Sequence, residues 1–258
     1  MNKIVLVDNE ITINVDDSIE VETLDRFIDV KKIIIKFLKN TSLEIEYTSK
    51  ASKLDIEIVV KENVSCHIFE IRHDEKLKAQ YRYILDTNSY LNITKFYDTK
   101  ETRELGVVEL NGVQAKIDYQ LKTIATEKQK YDLMVYHNEK NTVSNIKNHG
   151  VNIKDGSIIF NVTGIIYNGI KDCTLDQDNK IVTFNQNKCT IDPKLLIEEQ
   201  DVVANHSALI GKFDEDELFY LQSRGIDRTE AIILLTKGFL LENLNDERLD
   251  HIIEKYWR

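Results

Sequence analysis

The stretch from Asp201 to Leu240, DVVANHSALIGKFDEDELFYLQSRGIDRTEAIILLTKGFL, decides the fold, because the period of the chain changes inside it. Upstream of Gly211, apolar residues alternate with polar ones or run in short blocks, as strands do; downstream they follow helical spacing. The helical half is punctuated twice. Asp214 stands as an N-cap with Glu217 three residues on, flanked by Phe213 and Leu218 in staple positions; Ile226, Asp227, Glu230 and Ala231 repeat the arrangement. Between the two, Ser223-Arg224-Gly225 supplies the glycine that closes a last turn in the left-handed conformation. Two short capped helices joined by a tight turn are therefore predicted. A third follows with Asn245 as cap and Leu249, Ile252, Ile253 and Tyr256 on one face.

Working back from this stretch, strand patterns fill the chain from Lys3 onward. LEIEYT and LDIEIVV alternate apolar and acidic residues with period two, and the three isoleucines within Lys31–Leu38 favour a strand there too. Strand centres recur roughly every ten residues with polar turns between, a rhythm that fits a sandwich, a barrel or a solenoid. No repeat of fixed length is visible. Asn111-Gly112, between alternating stretches, predicts a hairpin, and Asp155-Gly156 and Asn168-Gly169 mark further turns. The sharp change of character at Gly211 divides the chain into a β-domain, residues 1–211, and a helical segment, residues 212–258.

Composition narrows the function classes. The formal net charge of −10 argues against sequence-independent nucleic-acid binding, which needs a basic surface. No apolar run is long enough to span a bilayer, and MNKIVLVDNE lacks the core of a signal peptide, so a soluble, cytoplasmic protein with no membrane partner is expected. The three cysteines, Cys66, Cys173 and Cys189, are widely spaced without a C-x-x-C and read as shielded thiols. Cys66 and His67 are adjacent on a strand, point to opposite faces, and cannot readily chelate one ion. His73, His137, His149 and His251 read as surface residues. No nucleophile elbow, phosphate loop or zinc-protease motif is present, so no catalytic residues are assigned, and any ATP dependence must come from another protein.

The wording of the opening stretch is more specific than its grammar. The aspartate–valine pair, His206, Gly211, the DE-x-x-LFYL-x-SRGI run and Gly238-Phe239 resemble, in order, the C-terminal signature of the SufB/SufD family, scaffold proteins of Suf iron–sulfur cluster assembly. A weaker match runs back over Val108–Val113, His137–Gly164 and Ile191-Asp192-Pro193. The resemblance implies a mainly β fold, a right-handed β-helix with a small C-terminal α-helical segment, whose irregular coils would hide any repeat. Longer members carry a helical N-terminal region; this chain, opening in strand patterns, is expected to lack it or to carry little of it.

The resemblance also carries expectations about the site. In the SufD branch the histidine matching His206 faces a SufB partner and is implicated in holding the nascent cluster. SufB-type chains follow that histidine with glutamate, where this chain has Ser207, and carry a cysteine in the strand that here reads KIVTF, Lys180 to Phe184. Both differences point to the SufD branch. The implied partners are a SufC-type ABC ATPase, docking on Leu218, Phe219, Tyr220, Arg224, Gly225 and Phe239, and a SufB-type scaffold or a second copy of the chain joined edge to edge. No permanently bound cofactor is implied, only a transient iron–sulfur cluster at a subunit interface. One imidazole cannot hold such a cluster, so its other ligands must come from the partner. Two other readings stay open: a homodimeric scaffold building the cluster by itself, against which the missing cysteine counts, and a β-helix carbohydrate-active or carbohydrate-binding protein.

Overall fold

A computed structural model describes residues 2–8, 10–26, 30–242 and 244–258. The strands are β1 (Asn2–Val7), β2 (Glu10–Asn14), β3 (Ile19–Arg26), β4 (Val30–Phe37), β5 (Thr41–Thr48), β6 (Ala51–Val60), β7 (Ser65–Arg72), β8 (Lys76–Leu85) and β9 (Tyr90–Tyr97). They continue as β10 (Glu101–Leu110), β11 (Lys116–Ala125), β12 (Lys128–His137), β13 (Val143–Asn152), β14 (Ser157–Ile166), β15 (Cys173–Thr183), β16 (Thr190–Ile197) and β17 (Val202–Gly211). Three helices follow, α1 (Glu215–Ser223), α2 (Arg228–Leu241) and α3 (Glu247–Glu254).

From β4 onward, successive strands lie in opposite sheets. One sheet runs β17-β15-β13-β11-β9-β7-β5-β1-β2 and the other β16-β14-β12-β10-β8-β6-β4-β3. Apart from the two pairs at the N-terminal end, every pairing among the described residues is parallel, so the chain winds as a β-helix of about seven turns. Asn111-Gly112 is therefore not a hairpin, since β10 and β11 pair with different strands. Glycine is required there for another reason: a Cβ on Gly112 would fall 1.9 Å from the Thr87 backbone nitrogen of the preceding coil.

The hidden repeat has a physical explanation. The Asn88 carboxamide donates to that of Asn63, 25 residues earlier; Asn138 donates to Asn111 across 27, and Asn148 to Asn179 across 31. Each coil thus places like residues in register, but coil length varies between 25 and 31 residues from β5 onward. One corner recurs in five successive coils with a left-handed residue, Asn63, Asn88, Gln114, Asn141 and Asp172. Each of these donates its amide to a carbonyl of the next coil. Asn and Asp tolerate this conformation better than other non-glycine residues, so few glycines are needed.

Inward side chains stack coil on coil. One column runs Leu43, Ile68, Ile93, Tyr119, Ile146, Gln177 and His206. The two ends differ. At the N-terminal end β2 runs antiparallel to β1 and β3 antiparallel to β4, closing the first coil with reversed strands. At the other end β16 and β17 terminate their sheets with free edges.

The helices fold back over the outer face of the nine-stranded sheet. Leu240, Leu241, Leu249, Ile252 and Ile253 cover a strip formed by Ile71, Phe96, Ile124, Val151 and Val182. Asp214 and Asp227 cap α1 and α2, accepting from the amides of Asp216 and Glu230, and Gly225 closes α1 with φ +86°. The cap of α3 is Asp246, which accepts from the Arg248 amide, rather than Asn245. A carboxylate one residue on is the stronger acceptor and also suits the positive end of the helix dipole. Arg248 clamps Glu44 through two bonds of 2.9 and 3.2 Å, and Lys255 and Tyr256 both bond Asp98.

Candidate functional site

The free C-terminal edge carries the first set of candidate residues. No Asp, Glu, Lys or Arg occurs in β17, VVANHSALIG. Val203 and Leu209 are 58% and 57% exposed, and Ile210 is also exposed. An unpaired edge of this kind is a template for another chain's strand, and proteins that avoid pairing place charges there. His206 belongs to the inward column and is exposed only because no further coil covers it. Its column neighbour Gln177 is buried, its amide nitrogen lies 3.5 Å from the Lys194 carbonyl, and its Oε1 has no partner. The apolar column thus turns polar at the open end. Among the described residues no group of three or more His, Cys, Asp or Glu side chains is placed to hold a metal ion.

Ser207 points to the outer face. It donates to Asp178 Oδ1 at 2.7 Å, while Lys180 donates to Asp178 Oδ2 at 2.9 Å and His149 Nε2 lies 3.3 Å from that same oxygen. Burial opposes ionisation of Asp178, but these three partners outweigh it and hold the carboxyl down at about 2.

The helical tail carries the second set. Phe219 is 72% exposed, and Tyr220 on α1 and Leu234 on α2 are exposed too. Arg224 and Gly225 are exposed at the turn. An open groove beside Tyr220 is lined by Asp216, Glu217, Leu221 and Leu235. Leu218 is buried, and Phe239 faces the sheet, stacked on the His149 ring at 4.8 Å between centroids. Of the six residues singled out on the tail, four therefore lie at the surface, while Leu218 and Phe239 hold the tail in place.

Two of the histidines taken for surface residues are interior. His137 is buried between Thr142 and Ser144, with Nδ1 2.7 Å from the first hydroxyl and Nε2 2.8 Å from the second, and Thr142 in turn meets the buried Cys173 thiol at 3.2 Å. Burial lowers its pKa to about 4. His149 is buried beneath α2. Neither placement is legible locally, because a histidine in an alternating strand gives no sign of which face will be covered. Cys66 and His67 do point apart, the thiol buried and the ring exposed, and burial raises the pKa of Cys66 and of Cys189.

A third polar cluster fills the solenoid interior. Arg72 donates to Glu70 at 2.6 Å and Asp74 at 3.0 Å, and Lys95 to Glu104 at 2.6 Å; the Lys95 ammonium lies 3.3 Å from the centre of the Tyr81 ring. All five charged residues in these bonds are buried. Burial lowers the Lys95 pKa against the pull of Glu104 and Glu70. Phase was the available signal. Glu70 and Arg72 share the parity of Ile68, and Lys95 that of Ile93, so these charges stand on the apolar face of their strands.

These features define an open-ended β-helix with a helical tail docked on one sheet. Residues 24–239 match the sequence model of the SUF system FeS cluster assembly, SufBD core domain. The chain belongs to that SufBD family. It is similar to the iron–sulfur cluster assembly protein SufD of Bacillus subtilis, with 34% identity over 117 residues, 45% of this chain and 27% of that protein. SufD of Escherichia coli is 31% identical over 98 residues, 36% of this chain and 23% of that one. A SufBD family protein of Pyrococcus horikoshii is 41% identical over 59 residues, 23% of this chain and 13% of the relative. The matched stretches thus span about a quarter or less of these relatives' own length. Among the described residues no helix is long and apolar enough to cross a membrane.

Proposed function

We propose that the chain is a SufD-like, non-catalytic scaffold subunit of iron–sulfur cluster assembly, pairing through β17 with a SufB-type β-helix and presenting its helical tail to a SufC-type ATPase. The observation that carries this reading is the uncapped coil, a charge-free edge with exposed Val203, Leu209 and Ile210 around an inward histidine. A transient cluster at the joined edges is the cargo. His206 supplies one ligand or polar contact, and the partner supplies the rest. On the tail, Tyr220, Leu221 and Leu235 line an apolar groove with acidic Asp216 and Glu217, and Phe219 next to Tyr220 in the chain is exposed, a surface suited to an ATPase face with an apolar centre and basic rim.

Co-expression with SufB-type and SufC-type proteins followed by size-exclusion chromatography tests the reading. The expected result is a three-component complex that loses its ATPase in Phe219→Ser/Tyr220→Ser and loses its SufB-type partner in Val203→Lys/Leu209→Lys. Surface variants are the cleaner test, since deleting the tail from Phe213 onward would bare the strip under α2 and α3. Retention of both partners by both variants would overturn the proposal. A chain that dimerises through β17 and binds a cluster unaided would favour the homodimeric reading.

A further inference from the structure

One buried side chain reaches both the helical tail and the residue that holds Ser207 of the free edge. His149, on β13, has acceptors at both ring nitrogens. Nε2 lies 3.3 Å from Asp178 Oδ2, and Asp178 also holds Ser207, the residue after His206 on β17. Nδ1 lies 3.3 Å from the Phe239 carbonyl and 3.5 Å from Glu242 Oε1, both at the end of α2. Phe239 stacks on the imidazole with the planes 10° apart. Glu242 takes an unfavourable left-handed backbone, φ 46°, at the negative end of its helix. Lys122 at 3.7 Å and Lys147 at 3.3 Å balance its charge.

Burial and the neighbouring Lys122 keep the imidazole of His149 below its usual pKa, so it is neutral near pH 7. A neutral imidazole carries one N–H and can serve only one of its two sides. With the proton on Nε2 it bonds Asp178, and the Nδ1 lone pair faces the Lys122 ammonium 3.5 Å away. With the proton on Nδ1 it bonds the Phe239 carbonyl, leaving Asp178 to Ser207 and Lys180. The two forms differ by the position of one proton, exchanged through solvent at the half-exposed Asp178, and have the same charge.

We propose that His149 is a tautomeric link coupling the helical tail to the strand that carries His206, bound to the edge side in one form and to the tail side in the other. Its functional meaning rests on the reading of β17 as the partner edge and of the tail as the ATPase dock. The coupling itself is a property of the isolated chain, so it can fail without that reading failing, and the reverse. A two-state element biased from both ends is what transmission between sites requires.

The tautomer is read directly by long-range 1H–15N correlation on 15N-histidine protein. Asp178→Ala, which removes the acceptor altogether, is expected to move His149 to the Nδ1–H form; an unchanged tautomer would overturn the proposal. Hydrogen exchange supplies the second arm. Glu242→Gln or Phe239→Ala in the tail should change the exchange of β17 amides by about five-fold or more, with the amides of β9 unaffected. In a His149→Leu background that effect should vanish. A tail variant without effect on β17, or an effect that survives His149→Leu, sinks the idea. Because His149→Leu removes a buried stacked ring, the tautomer of Asp178→Ala decides the matter should that variant not fold.

Discussion

The two ends of the solenoid solve the same problem in opposite ways. Any stack of parallel coils ends in exposed strand edges and half-covered apolar faces. At the N-terminal end the chain turns back on itself. The antiparallel β2 and β3 carry Glu10, Glu20 and Glu22, and these outer strands resist further pairing. At the C-terminal end the last strand has no charge and no cover, although the helices that could have capped it lie nearby. They are spent instead on the outer face of the sheet. One end is closed and the other bare, and the difference is what the proposed edge-to-edge pairing through β17 would use.

If the ends differ only in their covering, disturbing the interior they share should affect both. Lys95→Ala strands the buried Glu104 carboxylate and should cost about 3–5 kcal/mol, lowering the urea midpoint of the whole chain in a single transition. Separate transitions for the two ends would show that the solenoid is not one cooperative unit.

Acid should open the bare end first. His137 lies in the C-terminal half, hydrogen-bonded to Thr142 and Ser144. Its folded pKa of about 4 lies below the ordinary 6.5. The unfolded chain therefore binds the proton first, and stability is full above about 6.5 and falls as the pH drops through this window. The shift corresponds to about 3 kcal/mol. Hydrogen exchange between pH 7 and 4 should show β13, β15 and β17 losing protection ahead of β5 and β7, and His137→Gln should flatten that dependence.

Charge then separates the ends by function. Leu209→Lys should weaken a SufB-type partner by about 2 kcal/mol or more, roughly thirty-fold, in a binding titration. The same charge at the opposite end, Ile13→Lys on the already charged cap, should leave that affinity unchanged. Equal effects would remove the distinction drawn between the two edges.

The smallest stability effect belongs to the residue of greatest chemical interest. His206 is exposed, so His206→Ala should shift the melting free energy by less than about 0.5 kcal/mol. In anaerobic reconstitution of the complex, the cluster absorbance should nevertheless fall. A large loss of stability with normal cluster formation would make His206 structural.

Much of this was legible in the chain. Strand alternation, the caps at Asp214 and Asp227 and the stop at Gly225 depend on neighbours a few residues away, and local chemistry fixes them. The hairpin expected at Asn111-Gly112 failed because a turn signal does not state what its flanking strands will pair with. Glycine there answers to the Thr87 backbone, a whole coil earlier. His137 and His149 were misplaced for a similar reason, since their cover comes from other coils and from α2.

The sequence by itself determined the succession of strands and helices, the absence of charge in β17 and the family to which the chain belongs. These are properties of residue order and short-range preference. Only the tertiary structure decided that coils of 25 to 31 residues stack in register, that one end closes and the other stays open, and that His149 stands between the tail and the edge. The physical reason is distance along the chain. Ser207 and Asp178 lie 29 residues apart, and His149 and Phe239 lie 90 apart. Such contacts exist only once the solenoid has wound and the helices have docked.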